Sequence, residues 1–333
     1  MILSPAIISL ILSSLLTALF AVYASAVGYR IIRHWQLDSG SELQLRLERK
    51  TYLVSTVMAA LFGISLFCLF FFVFTVDGLH PLFIGAMCAA GALNVNPYGY
   101  PVLFVKVATC VLGGIWLIVN HADGKAVDYP LIRFKYKLLI VIAGLLIFEV
   151  LLLVGFFWRM APNLITSCCG TLFSADADTI AGRLATLPSI PAKVIFYLSV
   201  VLTLRTGSHF FLTARAAPIF SYLSAWLFGF SFIAIMAFIS LYIYELPTHH
   251  CPFCLLQKEY YYIGYPLYLS LFGAGITGMS VGVLNRLKGP DSMRSVIPAM
   301  QKKLALVSMA AFIVFTAIAT YPIVFSDFRL EGY

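Results

Sequence analysis

The stretch from His249 to Lys258 reads HHCPFCLLQK and contains two histidines, two cysteines and a lysine. Within it, Cys251 and Cys254 form a C-x-x-C pair, which at a helix start can close into a disulfide and reopen with little movement of the chain. Pro252 suits the first turn of a helix, where its missing N–H group costs nothing. The sequence therefore predicts a helix that begins at Cys251, with Cys254 one turn inside it.

The residues before the pair bear on its reactivity. Unpaired N–H groups at a helix start favour a thiolate, and a protonated histidine beside the sulfur does the same. His249 and His250 directly precede Cys251, so we expect one of these two histidines to tune the thiolate, and we count His250 among the catalytic residues. On this interpretation Cys251 and Cys254 are the catalytic pair of a thiol–disulfide oxidoreductase.

Lys258 follows Cys254 by four residues, which places both side chains on one face of the predicted helix. An ammonium group at this position can stabilise an anionic quinone, which would make Lys258 a cofactor contact, or a thiolate charge-transfer complex at the membrane interface. The same side chain can instead extend to the lipid headgroups, with Tyr260, Tyr261 and Tyr262 as an aromatic belt. Both roles remain open for Lys258.

Metal binding is the alternative chemistry for this stretch. Thiolates and imidazoles are ligands for soft ions such as Cu(I), Zn(II) and Hg(II). His249, His250, Cys251 and Cys254 bring four such groups together within a few residues. The sequence is therefore also typical of a membrane protein that binds or transports a soft metal ion.

Three further cysteines, Cys88, Cys168 and Cys169, lie in or beside segments that we expect outside the membrane. A disulfide between the neighbours Cys168 and Cys169 would close a strained ring. We therefore expect one of these three cysteines to exchange with Cys251 and another to resolve the disulfide. Under the metal interpretation, Cys88 or Cys169 completes the ligand set. A third alternative is a non-catalytic membrane subunit with structural disulfides, although five outer cysteines leave at least one unpaired.

The composition of the rest of the chain is typical of a membrane protein. Of the 333 residues, 61% are hydrophobic and 11% are charged, whereas about 25% are charged in soluble domains. Apolar runs of about 20 residues, the length that crosses a bilayer, occur eight times. They lie at 5–29, 53–76, 101–120, 138–158, 190–212, 218–243, 265–284 and 304–326. We predict an all-α, polytopic membrane protein with about eight transmembrane helices in contact with membrane lipid.

Basic residues indicate how the chain is oriented. Most of the 22 basic residues fall within 30–50, 125–137, 205–215 and 286–303, which are alternate loops between the predicted spans. Cytoplasmic loops retain Lys and Arg, so these loops face inward and both termini face outward. The C-x-x-C stretch then lies outside, where disulfides persist, as at a bacterial inner membrane. The net charge of +8 comes mostly from the basic residues of these inward loops. It therefore gives no reason to expect nucleic acid as a partner.

Short segments recur at about half the chain length. The triplet LFG occurs at 61 and 227, GYP at 99 and 264, and the pair KL at 137 and 303, so the offsets are 166, 165 and 166 residues. Four spans per repeat would give two parallel four-helix repeats related by an axis along the membrane normal. We predict an N-terminal half, 1–160, and a C-terminal half, 161–333, that carries the C-x-x-C site. On this alignment Cys88 matches Cys254.

Glu149 lies inside the fourth predicted span. An ionisable side chain within the membrane is a functional hypothesis by default, but this one can equally be protonated and bonded to a neighbouring helix. The spans offer few other groups that could relay an ion. The sequence also lacks a phosphate loop, a dinucleotide fingerprint, a zinc-protease helix and a serine nucleophile motif.

The segment Cys251–Lys258 resembles the C-x-x-C-x-x-E-R segment of the DsbB disulfide-bond-forming family, with Lys258 where that family has its quinone-side arginine. The order of elements over 138–284 resembles the vitamin K epoxide reductase family: a helix, a cysteine-containing outer loop, two helices and then C-x-x-C. Both families are four-helix bundles that pass electrons between a quinone and the thiols of an extracytoplasmic partner. The resemblance therefore implies a quinone cofactor and an extracytoplasmic thiol or disulfide protein as partner. Adjacent loop cysteines, lysine in place of arginine and eight spans are departures from both families.

Overall fold

The structure, a computed structural model, describes residues 4–36, 41–126, 128–166 and 187–330. Within these ranges all regular structure is helical, apart from one isolated bridge between Ile84 and Ile165. The α-helices are Pro5–His34 (α1), Glu42–Asp77 (α2), Ala89–Leu93 (α3), Gly99–Asp123 (α4), Ile132–Trp158 (α5), Ser189–Thr213 (α6), Ala217–Ala234 (α7), Ser240–Tyr244 (α8), Gly264–Arg286 (α9) and Met293–Phe325 (α10). Short 3₁₀ turns at His80–Leu82, Cys254–Leu256 and Lys258–Tyr260 complete the set.

In the part of the chain that the structure describes, eight helical segments are long and apolar enough to cross a membrane. They are α1, α2 together with the 3₁₀ turn that follows it, α4, α5, α6, the stretch from α7 through α8, α9 and α10. Each of the eight predicted apolar runs lies on one of these segments. The prediction of an all-α, multi-pass membrane protein is thereby confirmed.

The described chain forms two compact units. Unit 1 comprises residues 1–75, 96–161 and 286–300, and unit 2 comprises 76–95, 162–285 and 301–333, each within the described ranges. The predicted division at residue 160 and the two parallel repeats stay predictions. The two GYP triplets form the first residues of α4 and α9, and each helix begins at the glycine of its triplet. The proline then lies in the first turn, where a helix tolerates it.

Unit 1 is held together by aromatic side chains that pack into spaces left by small ones. The ring of Tyr136 on α5 lies against Gly28 of α1, where an added Cβ atom would be only 2.5 Å from the ring. Phe62 of α2 and Trp116 of α4 pack edge to face, with ring centroids 5.2 Å apart. Because these contacts bury large apolar surfaces, they fix the positions of α1, α2, α4 and α5.

Unit 2 contains a close approach of three helices through small side chains. Gly278 of α9 lies beside Ser224 of α7 and Ser308 of α10, at distances that leave no space for a Cβ atom. Ser308 donates a hydrogen bond to the carbonyl of Ala274 at 2.8 Å. Small residues and interhelical hydrogen bonds are typical of helix packing within membranes.

The sixth span contains a π segment, Ile235–Ile239, between α7 and α8. A π turn inserts one residue into the helical repeat and leaves a backbone carbonyl available for another donor. The span ends at Glu245, whose backbone is left-handed with φ of 54°, a conformation that terminates a helix. The polar stretch with the two cysteines follows directly.

The predicted helix start at Cys251 is wrong. After the 3₁₀ turn Cys254–Leu256, Gln257 takes an extended conformation with φ of −85° and ψ of 160°. Tyr261 and Tyr262 are both left-handed, with φ of 53° and 56°, and a right-handed helix cannot pass through two such residues. The seventh span therefore begins only at α9, and the cysteines lie in the irregular segment before it.

Candidate functional site

Three cysteines of unit 2 converge, although one of them is far from the other two in sequence. The Sγ atoms of Cys88, Cys251 and Cys254 all lie within 4.8 Å of one another. The closest measured pair is Cys88 and Cys251, whose Sγ atoms are 3.5 Å apart. Because a disulfide bond is about 2.05 Å long, these two sulfurs are in contact and are not bonded to each other. We call these three residues the cysteine cluster.

The cysteine cluster is buried. Cys88 and Cys251 have no exposed surface, and Cys254 is 4% exposed. Burial in apolar surroundings disfavours thiolates, so the reactivity of these sulfurs depends on the polar groups placed around them. One such group is the backbone N–H of Phe253, which donates a hydrogen bond to Sγ of Cys251 at 3.4 Å.

Asp77 and Gln257 bring Cys88 to the C-x-x-C segment. Asp77 Oδ1 accepts a hydrogen bond from the N–H group of Ala89 at 2.8 Å and another from Gln257 Nε2 at 3.2 Å. The same Gln257 amide donates to the carbonyl of Met87 at 2.9 Å. Both neighbours of Cys88 are therefore tied to the segment that carries Cys254. We call this arrangement the Asp77–Gln257 clamp.

Two tyrosines hold the backbone of the C-x-x-C segment. The Tyr244 hydroxyl donates to the carbonyl of Cys251 at 2.6 Å, and the Tyr268 hydroxyl donates to the carbonyl of Pro252 at 2.7 Å. Tyr244 belongs to α8 and Tyr268 to α9, so the segment is fixed to the helices on either side of it in the chain. Such bonds satisfy carbonyl groups that have no helical partner.

Gly264 allows the C-x-x-C segment to lie directly on the start of α9. A Cβ atom at this position would be 2.9 Å from the carbonyl carbon and oxygen of Leu255, closer than backbone atoms tolerate. Only glycine therefore permits the 3₁₀ turn that contains Cys254 to pack here.

The two histidines have different environments. The His249 ring packs edge to face on Tyr244, with centroids 4.6 Å apart, and its Nε2 atom is buried with no hydrogen-bond partner among the described residues. Burial lowers the pKa of His249, whereas a thiolate at the nearby Cys88 would raise it. Burial of the ring therefore favours the neutral form of His249.

His250 instead binds the π segment. Its Nδ1 atom is 2.9 Å from the carbonyl oxygen of Met236. A carbonyl oxygen can only accept, so Nδ1 carries the hydrogen and the neutral ring has its lone pair on Nε2. The structure thus anchors His250 to Met236, while the predicted tuning of the thiolate by one of the two histidines stays a prediction.

Lys258 does not share a helix face with Cys254, because the two residues belong to separate 3₁₀ turns. Its side chain is exposed. Beside it in the chain, Tyr260 packs on Tyr244 with ring centroids 4.4 Å apart, and Tyr261 is 92% exposed. An exposed cation among tyrosines is compatible with both roles that the sequence left open for Lys258.

Cys168 and Cys169 lie outside the described residues, so their predicted exchange and resolving roles stay predictions. The other two cysteines belong to helices of unit 1. Cys68 of α2 has its Sγ atom 3.5 Å from the hydroxyl oxygen of Ser13, and Cys110 is buried in α4.

A buried ion pair in unit 1 was missed from the sequence. Lys106 Nζ of α4 donates to Glu149 Oε1 of α5 at 2.7 Å, and the two side chains are only 4% and 5% exposed. Thr109 donates to the other carboxylate oxygen at 2.7 Å, and Ser14 donates to Oε1 at 3.4 Å. A small polar cavity beside the pair is lined by these residues and by Ser65, among others. Glu149 thus has a cationic partner within the membrane, and an oppositely charged residue in the neighbouring span was the available signal.

A second buried ion pair lies in the same unit. Lys135 Nζ donates to Asp123 Oδ2 at 2.7 Å, and both side chains are almost completely buried. Asp123 Oδ1 also accepts from the N–H group of Leu131 at 2.9 Å. The sequence placed Lys135 in an inward loop, whereas it belongs to the first turn of α5, where it joins α4 to α5.

Comparison with protein-family models, with curated proteins and with solved structures gives no match to this chain.

Proposed function

We propose that the protein is an integral membrane thiol–disulfide oxidoreductase that exchanges electrons between an extracytoplasmic partner protein and a membrane quinone. The observation that carries this proposal is the 3.5 Å contact between Sγ of Cys88 and Sγ of Cys251, with Cys254 in the same buried cluster. Three converging sulfurs are what an internal disulfide exchange requires, because one must attack, one must be attacked and one must leave.

The proposed internal step is an exchange within the cysteine cluster. A Cys88 thiolate attacks Sγ of Cys251 in a Cys251–Cys254 disulfide. The Cys88–Cys251 bond forms, the Cys251–Cys254 bond breaks, and the Cys254 sulfur leaves as a thiolate that takes up a proton. The step conserves electrons within the protein, and its reverse regenerates the Cys251–Cys254 disulfide.

The external steps transfer two electrons and two protons. When the Cys251 and Cys254 thiols form their disulfide, they release two electrons and two protons that convert one quinone to a quinol. A partner dithiol that becomes a disulfide supplies the same two electrons and two protons to reopen it, and both steps can run in the opposite direction. Because Cys251 is completely buried, partner exchange requires another cysteine, and Cys168 and Cys169 are those that the sequence offers.

The proposed setting is an inner membrane of a bacterium, with both termini and the cysteine cluster on the extracytoplasmic side. The alternate distribution of basic loops supports this orientation, and cysteine chemistry of this kind requires an oxidising compartment. Lys258 remains the proposed quinone contact, since an exposed ammonium group follows the cluster in the chain. The local resemblance of Cys251–Lys258 to the DsbB family supports the same assignment.

The decisive experiment maps thiols and disulfides by mass spectrometry. The full chain is purified anaerobically in detergent, reduced, freed of reductant and mixed with an oxidised quinone. We expect that a Cys251–Cys254 or Cys88–Cys251 disulfide forms as the quinone is reduced to a quinol. A dithiol should then reduce this disulfide again. Cysteine thiols that remain unchanged by quinone would overturn the proposal.

Matched variants separate the cluster from the other cysteines. Cys88→Ser should still form the Cys251–Cys254 disulfide but lose exchange with the partner, whereas Cys254→Ser should accumulate the Cys88–Cys251 disulfide. Cys110→Ser alters a buried cysteine of unit 1 and should behave as the unmodified protein. A change in Cys110→Ser equal to that in Cys88→Ser would show that the assay reports misfolding instead of exchange.

A further inference from the structure

We infer that the reduced cysteine cluster binds a soft metal ion of the zinc class, with the thiolates of Cys88, Cys251 and Cys254 and the Nε2 atom of His249 as its ligands. The inference rests on the proposed function only in using the same three cysteines, and it would stand if no quinone reacted with them. The sequence-based ligand set contained both histidines with Cys251 and Cys254, completed by Cys88 or Cys169, and the inferred set retains His249 and Cys88.

The spacing of the sulfurs suits a tetrahedral ion. Zn–S bonds are about 2.3 Å long, so two thiolates on a tetrahedral ion lie about 3.8 Å apart. The Cys88 and Cys251 sulfurs are 3.5 Å apart, and all three sulfurs lie within 4.8 Å of one another. Small side-chain rotations therefore convert the observed cluster into three corners of a tetrahedron.

His249 is the proposed fourth ligand. Its Nε2 atom is buried and lacks a hydrogen-bond partner among the described residues, and a buried polar atom left in this state costs about 1–3 kcal/mol. A metal ion would give this nitrogen a partner.

Charge balance favours an ion at this place. Three thiolates within one buried cluster repel each other, and burial penalises each of them. A divalent cation compensates two of the three negative charges, and the hydrogen bond from the Phe253 N–H group to Cys251 Sγ stabilises the remaining negative charge. Three cysteines and one histidine form a ligand set that is common in closed zinc sites.

Metal binding and disulfide formation exclude each other at this site. A disulfide between Cys88 and Cys251, or between Cys251 and Cys254, removes two of the three sulfur ligands. The ion therefore binds only the reduced cluster, and oxidation of the thiols releases it.

The test titrates the reduced, metal-free full chain in detergent with Co(II), which reports tetrahedral thiolate coordination by its absorption, and then displaces Co(II) with Zn(II). We expect one ion per chain, with sulfur-to-metal charge transfer in the spectrum. Cys88→Ser and His249→Ala should each weaken Zn(II) binding by about tenfold or more. Cys110→Ser is the matched control and should leave it unchanged.

X-ray absorption of the unmodified zinc-loaded protein provides a measurement that does not depend on how the variants fold. Three sulfur neighbours and one nitrogen neighbour are expected. Absence of stoichiometric binding, or binding that is unaffected by Cys88→Ser, would overturn the site. Equal affinity of His249→Ala and the unmodified chain would overturn the fourth ligand.

The two proposals fail in distinguishable ways. A chain that binds zinc but forms no quinone-dependent disulfide retains the metal site and overturns the oxidoreductase. A chain that forms quinone-dependent disulfides but binds no zinc or cobalt when reduced retains the oxidoreductase and overturns the metal site.

Discussion

Gln257 Nε2 donates a hydrogen bond to Asp77 Oδ1 at 3.2 Å across 180 residues of sequence. The same amide reaches the carbonyl of Met87, so one side chain joins the residues around Cys88 to the C-x-x-C segment. The side chains of Asp77 and Gln257 thereby tie the residues on both sides of Cys88 to the segment that carries Cys251 and Cys254.

Gln257→Leu should therefore slow formation of the Cys88–Cys251 disulfide. The variant loses two hydrogen bonds worth about 1 kcal/mol each, and a barrier that rises by about 1.4 kcal/mol lowers a rate about tenfold. The measurement is the rate at which a Cys254→Ser background forms this disulfide under a mild oxidant. Glu259→Gln, an exposed change in the same segment, is the control, and equal rates for both variants would contradict the clamp.

Gly264→Ala should displace the C-x-x-C segment from α9. The added Cβ atom would lie 2.9 Å from the backbone of Leu255, and overpacking of this kind typically costs about 1–3 kcal/mol. Thermal unfolding in detergent and the labelling rate of Cys254 by a thiol reagent report the effect. Gly273→Ala lies on the same helix with open space around it, so it should leave both readouts unchanged.

Tyr244→Phe and Tyr268→Phe should each loosen the backbone around the cysteine pair. Each change leaves one buried carbonyl, that of Cys251 or that of Pro252, without its hydroxyl donor. The expected cost is about 1–2 kcal/mol of unfolding free energy, together with faster labelling of Cys251. Unchanged labelling in both variants would show that the hydroxyl groups do not position the segment.

Lys106→Met should be among the most destabilising single changes in unit 1, because it leaves Glu149 as a buried carboxylate without its cation. Breaking a buried ion pair costs about 3–5 kcal/mol, whereas replacing both partners by apolar residues is often neutral. The double variant Lys106→Met with Glu149→Leu should therefore recover most of the lost stability. Thermal unfolding in detergent is the measurement, and a double variant less stable than Lys106→Met would contradict the pairing.

The positions of the spans could be predicted because hydropathy and length are local properties, and all eight apolar runs lie on spanning segments. The helix start predicted at Cys251 was wrong. Pro252 is a valid signal for a first helical turn, but Gln257 is extended and Tyr261 and Tyr262 are left-handed. Tyrosine has no local preference for the left-handed conformation, so the sequence does not indicate that the helix is interrupted at Tyr261 and Tyr262.

The composition of the site was only partly predictable. The spacing of Cys251 and Cys254 marks them as a pair in the sequence. Cys88 was one of three cysteines that were predicted to exchange with Cys251. The choice of Cys88 depends on the Asp77–Gln257 clamp, a contact between distant parts of the chain. The difference between His249 and His250 depends on the carbonyl that the π segment offers to His250, and hydropathy patterns do not reveal a π turn.

The Lys106–Glu149 pair also has an electrical consequence. A potential of 100 mV does about 2.3 kcal/mol of work on one charge carried across the whole membrane. The two opposite charges lie 2.7 Å apart, so they occupy nearly the same depth and the work on one largely cancels the work on the other. While the pair is intact, a change of membrane voltage therefore exerts little net force on α4 and α5 at this point, and the loss of either partner would convert it into a voltage-responsive charge.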